Sequence, residues 1–312
     1  MQDLRIYDFE FNLLAIETKL ISSDWQIFFN DIGKAEIHIS PRSESVPVLF
    51  DNKYLFITQG EKQAIVTAKQ LGDDCVIYGK TPDWIMSRRI ILPQSAIEGE
   101  AETLLRDLAK NQAFKDETFF ELGQTSGVTK EIEIPVSKIT SFSVILKDAL
   151  SECSAGRRVY LDIANKKLVF EVLKGKELSL VISEGALNAY DTEYYFDLQN
   201  YFTSGAFSKE DGGVASVNSE EKTGIYKWVT PLASFEEADA KKEMLSFRAE
   251  EELSQKVKNL KFGKDYNLGD IVTVSLDNES LKRTKKYRII GVELWEESQS
   301  MGERPIFNET EE

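Results

Sequence analysis

The residue type best suited to acid–base chemistry near neutral pH occurs once in this chain, as His38. A histidine base needs a nucleophile and an orienting partner within reach, and no Gly-x-Ser-x-Gly elbow accompanies it. His38 falls on the polar side of an alternating segment, the place of a surface or interface residue. Two cysteines, Cys75 and Cys153, lie far apart in apolar contexts and are expected as buried free thiols. One histidine and two isolated cysteines do not make the common zinc sites. Asp211-Gly212-Gly213 and Asp277-Asn278-Glu279 lack the full calcium-loop pattern and read as plain turns. No glycine-rich phosphate loop is present. With 53 acids some pair must lie close in space, so paired carboxylates carry no signal for glycoside hydrolysis. The expectation is therefore no catalytic, cofactor-binding or metal-binding residues and no cofactor.

The formal charge of −15 argues against wrapping nucleic acid, which needs Lys and Arg at phosphates. It argues equally against an anionic membrane surface. Arg88-Arg89, Arg157-Arg158 and Lys282–Lys286 are short and scattered, as strand ends and solvated loops are. Trp84, Trp228 and Trp295 sit in patterned elements and read as core or interface residues rather than sugar platforms. No apolar run approaches the roughly 20 residues that span a bilayer. The N-terminus lacks a basic region followed by an apolar run, so no signal peptide is expected. These features predict a protein made in the cytoplasm.

The elements that must position these residues are mostly strands. Leu4–Asp8, Leu13–Ile21, Trp25–Phe29, Ala35–Ile39, Tyr54–Gln59, Lys62–Gln70 and Cys75–Lys80 show period-two alternation broken by turn residues. Residues 1–80 thus predict a first β-domain, a sandwich or small barrel. The pattern changes at Thr81-Pro82-Asp83, a helix start with Thr81 as N-cap. A short helix over Trp84–Arg89, helices over Glu98–Asn111 and Ser143–Cys153, and a Val159–Val172 hairpin make residues 81–177 a small α+β domain. Residues 178–312 predict a third domain, with strands at Leu178–Ile182, Tyr194–Leu198, Val214–Val217, Ile225–Val229, Ile271–Leu276 and Tyr287–Trp295. Ser204–Gly213 reads as a loop and the last dozen residues as frayed. The Ser234/Glu237 capping box and the stripe Leu245, Ala249, Leu253, Val257 and Leu260 predict one long helix over about 235–260.

This order of segments resembles the tail-hub (baseplate-hub) proteins of long-tailed bacteriophages, related to the central hub of contractile tails and the VgrG-type spike base. The matching features are Tyr7-Asp8, Leu13–Leu20, Ser23–Phe29, Gly33 and Ile37–Pro41. They continue with Ile65–Ile77, Gly79, the Arg88-Arg89 pair, Gly99–Leu108, Leu268-Gly269-Asp270-Ile271-Val272 and Arg288–Glu296. Leu187–Val229 departs from the pattern, and no C-terminal extension of the kind that carries lytic or receptor-binding domains in longer relatives is expected. The resemblance implies an α+β, mostly β fold: two antiparallel tube-type β-barrels, the small α+β domain inserted, the second barrel at 178–312. It implies a non-enzymatic subunit of a phage or prophage tail tip that joins the tail tube to the tip and lines the DNA channel. The implied partners are two more copies in a homotrimer, the tail tube, distal tail and tape-measure proteins. No sequence-specific nucleic-acid binding and no membrane insertion are implied, and the location is the virion tail or a prophage-derived particle. A non-catalytic carbohydrate- or cell-wall-binding module and a carboxylate-based cell-wall hydrolase are the competing readings.

Overall fold

The computed structural model describes residues 2–209, 211–247, 249–277, 282–297 and 300–309. The fold is mostly β with short helices, an α+β architecture, in two compact units: 1–192 with 254–312, and 193–253. In the larger unit the predicted alternation becomes β1 (Leu4–Asp8), β2 (Leu13–Glu17), β3 (Leu20–Phe28), β4 (Lys34–Ile39), β5 (Leu55–Gln59), β6 (Lys62–Leu71) and β7 (Cys75–Lys80). They pair antiparallel in the order β3-β4-β7-β6-β5-β1-β2. Their inward side chains, among them Leu4, Ile6, Trp25, Ile37, Ile39, Leu55, Ile57 and Ile77, form one buried cluster. Each such burial is worth about 1.5–3 kcal/mol. A short helix, α1 (Ser45–Asp51), adds Val46 and Leu49 to it.

The sheet curls. The Trp25 indole N–H on β3 donates to Gln59 Oε1 on β5 at 2.7 Å, although four strand pairings separate the two along the sheet. Lys62 Nζ on β6 lies 5.7 Å from the Trp25 ring centre and 3.1 Å from Glu296 Oε1. Strand order nevertheless runs from Ala189–Asp197 to β2 with two ends, so no closed barrel forms among the described residues.

The segment after β7 folds as a second layer. A 3-10 turn (Pro82–Arg88) leads to α2 (Ala101–Leu108), α3 (Phe142–Glu152) and the hairpin Gly156–Asp162 with Lys167–Leu173. Its core, including Leu105, Leu146, Leu150 and Phe170, also takes in Tyr7, Phe56 and Ile65 from β1, β5 and β6. Both faces of that part of the sheet are therefore covered, and every residue of β5 is buried.

The C-terminal strands return to β3. Lys282–Glu297 pairs with Ile271–Asp277 through its first half, with β3 through Gly291–Glu297, and with Ser300–Glu309 along most of its length. These segments meet at Phe29. A Cβ on Gly156 would stand 2.3 Å from the Phe29 ring, and so would one on Gly269. Gly269 (φ +85°) belongs to the Leu268-Gly269-Asp270 turn. The buried Asp270 carboxylate accepts the N–H groups of Lys176 and Asn267 at 2.9 and 2.8 Å.

The smaller unit, taken by itself, holds the strands Ser204–Ser208, Val214–Asn218 and Val229–Pro231 and the helix α4 (Glu237–Met244). Phe207, Val217, Leu232, Ala240 and Met244 are its core. Several expectations are corrected here and in the C-terminal strands. The long helix of 235–260 stops at Met244, and Glu250–Val257 is a strand. Gln255 and Val257 are buried at a spacing of two, and Lys258 N–H donates to Asn188 O at 3.0 Å, so sheet pairing overrides the helical spacing. Ser234 does not complete its capping box with Glu237: its hydroxyl donates to Glu243 at 2.7 Å, while Glu237 pairs with Lys241. Ser204–Gly213 is no loop, because Ser204–Ser208 is a central strand whose Gly205 admits the side chains of Leu232 and Met244. Ile225–Val229 is a 3-10 turn and the start of a short strand. The final residues through Glu309 form a strand rather than a frayed end.

Gly269 and Gly263 share a left-handed backbone (φ +85° and +83°), but a Cβ on Gly263 meets nothing within 4 Å. Gly263→Ala is expected to cost about 1 kcal/mol. Gly269→Ala adds a clash with Phe29 and should cost about 3 kcal/mol or more, both read by urea denaturation.

Candidate assembly surface

The outward face of β3, β4 and the C-terminal hairpin carries the ionisable groups that alternate with the core. Asp24, Gln26 and Phe28 stand opposite Trp25 in the alternation. Register places Asp24 beside Glu36 and Trp295, and Gln26 beside Glu293. Gln26 Nε2 donates to Glu293 Oε1 at 3.2 Å, and Arg304 Nε lies 3.8 Å from the other oxygen of Glu293. Burial, followed by the neighbouring carboxylates Glu293 and Glu36, raises Asp24 above the usual carboxylate range, with Lys34 opposing. Asp24, Glu36 and Glu293 thus cluster on this face, with Lys34 and Arg304 set among them. Two rings take the space beside glycines, Phe28 at Gly291 and Trp295 at Gly302.

His38 sits at the far end of β4. Its Nε2 is 3.0 Å from Glu36 Oε1 and its Nδ1 is 3.3 Å from Asp74 Oδ2. Carboxylates take both ring nitrogens, which favours the imidazolium and leaves neither nitrogen as a free base.

A second feature is the end of the sheet. β2 ends the strand order and presents Leu13 and Ile16, each 48% exposed. The preceding turn holds Phe9 against Tyr54 with ring centres 5.5 Å apart. That turn is stiff. The Asp8 carboxylate accepts Glu10 N–H, Asn12 N–H and the Asn12 side-chain amide at 2.8–2.9 Å, and Phe11 takes φ +64°. Large apolar groups fixed beside an unpaired strand edge mark a surface for association.

The other residues singled out by sequence are dispersed. Arg88 stacks on Trp84, Arg89 pairs with Glu117 at 3.1 Å, Arg157 is buried and Arg158 lies over Tyr160. Lys282–Lys286 lines one strand, with Lys286 paired to Glu177. Asp211 accepts the N–H of Gly213 within its turn. In Asp277-Asn278-Glu279 the last two positions lie outside the described residues. Cys75 is a buried free thiol and Cys153 a half-buried one, both pushed up in pKa by burial. Among the described residues no three His, Cys, Asp or Glu side chains group as metal ligands, and no helix is long and apolar enough to cross a membrane. Trp228 is 40% exposed, with its indole N–H on Ile225 O. Asp83 and its link to Arg157 were not legible in advance. Thr81-Pro82-Asp83 signals a helix start, yet Thr81 makes no side-chain cap and instead accepts Gly33 N–H at 2.7 Å.

A model of the family described as Siphovirus ReqiPepy6 Gp37-like protein matches residues 3–221. No match is found among the curated proteins. Among solved structures, the fold is similar to the 43 kDa tail protein of prophage MuSo2 from Shewanella oneidensis, with 11% identity over 99% of this chain and 98% of that chain and a TM-score of 0.59. It is similar to the tail protein from Neisseria meningitidis MC58 at 12% identity over 99% and 96%, TM-score 0.60. The prophage tail protein gp18 from Listeria monocytogenes EGD-e aligns at 14% identity over 99% and 94%, TM-score 0.55.

The His38 cluster makes one testable demand on stability. Its hydrogen bond to Glu36, opposed by burial and then joined by that to Asp74, raises the folded-state pKa above the ordinary 6.5. The stabilisation is then fully present below the unfolded value and lost as pH rises through the folded value. Thermal melts of the native chain and His38→Gln should differ most at pH 6 and converge by a fraction of a kcal/mol toward pH 8 or above.

Proposed function

The chain belongs to the family of Siphovirus ReqiPepy6 Gp37-like proteins, and on that premise we propose that it is a non-catalytic structural subunit of a phage or prophage tail tip. The observation that carries this reading is the end-to-end agreement in fold with prophage tail proteins, 99% of this chain against 98% of the Shewanella one. The finer role is a hub that joins the tail tube to the tip. It has two tube-type walls, one built on 1–80 and one on 178–312, with the α+β segment 81–177 between them. Three copies would meet through apolar surfaces such as the β2 edge. Tail tube, distal tail and tape-measure proteins are the neighbours in this reading, and the virion tail is the location.

Physical features support it. A curled sheet that leaves an unpaired edge with Leu13 and Ile16 outward suits a subunit completed by neighbours. The net charge of −15 suits a wall along which DNA slides without adhering.

Ile16→Lys places a charge on a half-exposed edge position and should change the stability of the isolated chain by no more than about 0.5 kcal/mol. In particles from a lysogen carrying the variant, the chain should be lost from tails and tailed particles should fall at least tenfold, counted by electron microscopy. Native chain that never co-purifies with tail particles would sink the reading.

A further inference from the structure

We propose that the buried contact between Asp83 and Arg157 is a proton-controlled clasp that fastens the Gly156–Asp162 strand and α3 to the turn between β3 and β4. The inference concerns the subunit itself and is independent of how it assembles.

The clasp gathers four elements. Arg157 donates its backbone N–H to Phe29 O at 2.8 Å and its Nη1 to Asn30 Oδ1 at 3.1 Å. The Asn30 amide donates onward to Lys147 O and Ser151 Oγ on α3, at 2.9 and 3.0 Å. Asp83 arrives from the 3-10 turn. Its carboxylate accepts the Thr81 hydroxyl, whose oxygen accepts Gly33 N–H; Thr81 N–H in turn donates to Gly33 O at 3.1 Å. Arg157 and Asp83 side chains are only 1% and 8% exposed.

The central ion pair is poorly made. Arg157 Nε lies 3.5 Å from Asp83 Oδ2, beyond the roughly 2.7–2.9 Å of a charge-assisted hydrogen bond. That nitrogen is buried without a hydrogen-bond partner. A dry carboxylate with so few donors favours its neutral form. The charged groups around it are Arg157 and, beyond Arg157, Asp31, which Lys147 of α3 holds at 2.7 Å. Burial pushes Asp83 up to about 6, with Arg157 opposing, and burial likewise lowers Arg157.

The sign follows from proton counting. Closed, Asp83 binds its proton near pH 6; opened to water, it returns to the ordinary value of 3.8. The closed clasp therefore holds more protons between those limits and is firmest toward the acid side. It loosens as pH rises through 6. From pH 7 to pH 5 the opening equilibrium should fall about tenfold. Opening is local, because the apolar core shared with Tyr7, Phe56 and Ile65 holds the layers together whatever the state of the clasp.

Amide hydrogen exchange on the full chain, corrected for intrinsic rates, tests this between pH 5 and 7.5. The amides of Gly33, Thr81 and Arg157 should be about tenfold better protected at pH 5 than at pH 7, while the β4–β7 ladder is unchanged. Asp83→Asn, a neutral mimic of the protonated acid, should hold high protection at both. Protection in the native chain that ignores pH, or a pH dependence that survives Asp83→Asn, overturns the proposal. Carbon-13 titration of the native Asp83 carboxyl gives a second reading, and a midpoint near 4 overturns it too.

Discussion

One ring decides where the separate parts of this chain can meet. Phe29 directly follows the Trp-bearing strand, and its side chain occupies the space that Cβ atoms on Gly156 and Gly269 would need. Gly175 lies against Gly269 itself, where a Cβ would fall 1.7 Å from its carbonyl oxygen. Segments far apart in sequence are thereby brought to backbone-contact distance, which only glycine allows. The Asp270 carboxylate then ties down Lys176 and Asn267, and Ile289 N–H donates to Asp270 O at 2.9 Å. The Leu-Gly-Asp motif is thus a packing device. It sets the start of the Ile271–Asp277 strand and, through it, the register that carries Lys282–Glu297 onto β3.

From that register comes the division of the sheet into an inner and an outer side. Trp25, Gln59, Lys62 and Glu296 form a polar contact at the inner end of an otherwise apolar curl, with the indole, the amide and the ion pair each partnered. Paired in this way the groups avoid most of the penalty for burying polar atoms. The outer side receives the residues that alternation excludes from the core, and cross-strand pairs such as Gln26 with Glu293 order them. Among the described residues the edge at β2 has no second strand.

The sequence was most legible where the chain pairs with its near neighbours. β1, β4 through β7, α3 and the Gly156–Leu173 hairpin lie close to where period and turn residues put them, since local alternation and short turns suffice there, whereas the expected Leu13–Ile21 strand divides between β2 and the start of β3 at Leu20. It was least legible where distant segments decide. Glu250–Val257 has strong helix formers and an i,i+4 stripe, yet it takes the strand form that matches Asn188–Thr192. Ser204–Ser208 carries a loop-like composition because its Gly205 is needed to admit the side chains of Leu232 and Met244. α1 escaped notice because Pro47 lies in its first turn, a position proline tolerates. Among the candidate site residues, His38 was placed correctly on the polar face, and its two carboxylate partners came from the next alternate position and from the β6–β7 turn.

By itself the sequence determined the class of the fold, the faces of the early strands and the acidity of the surface, because alternation and composition are local properties that every folded form must respect. The ordered motifs also pointed to the tail-protein family. Only the tertiary structure decided that the C-terminal strands pair with β3, that the sheet curls without closing among the described residues, and that Arg157 is buried against Asp83 while Arg158 beside it stays outside. Those outcomes depend on contacts across the chain, above all at Phe29, whose geometry no local pattern encodes.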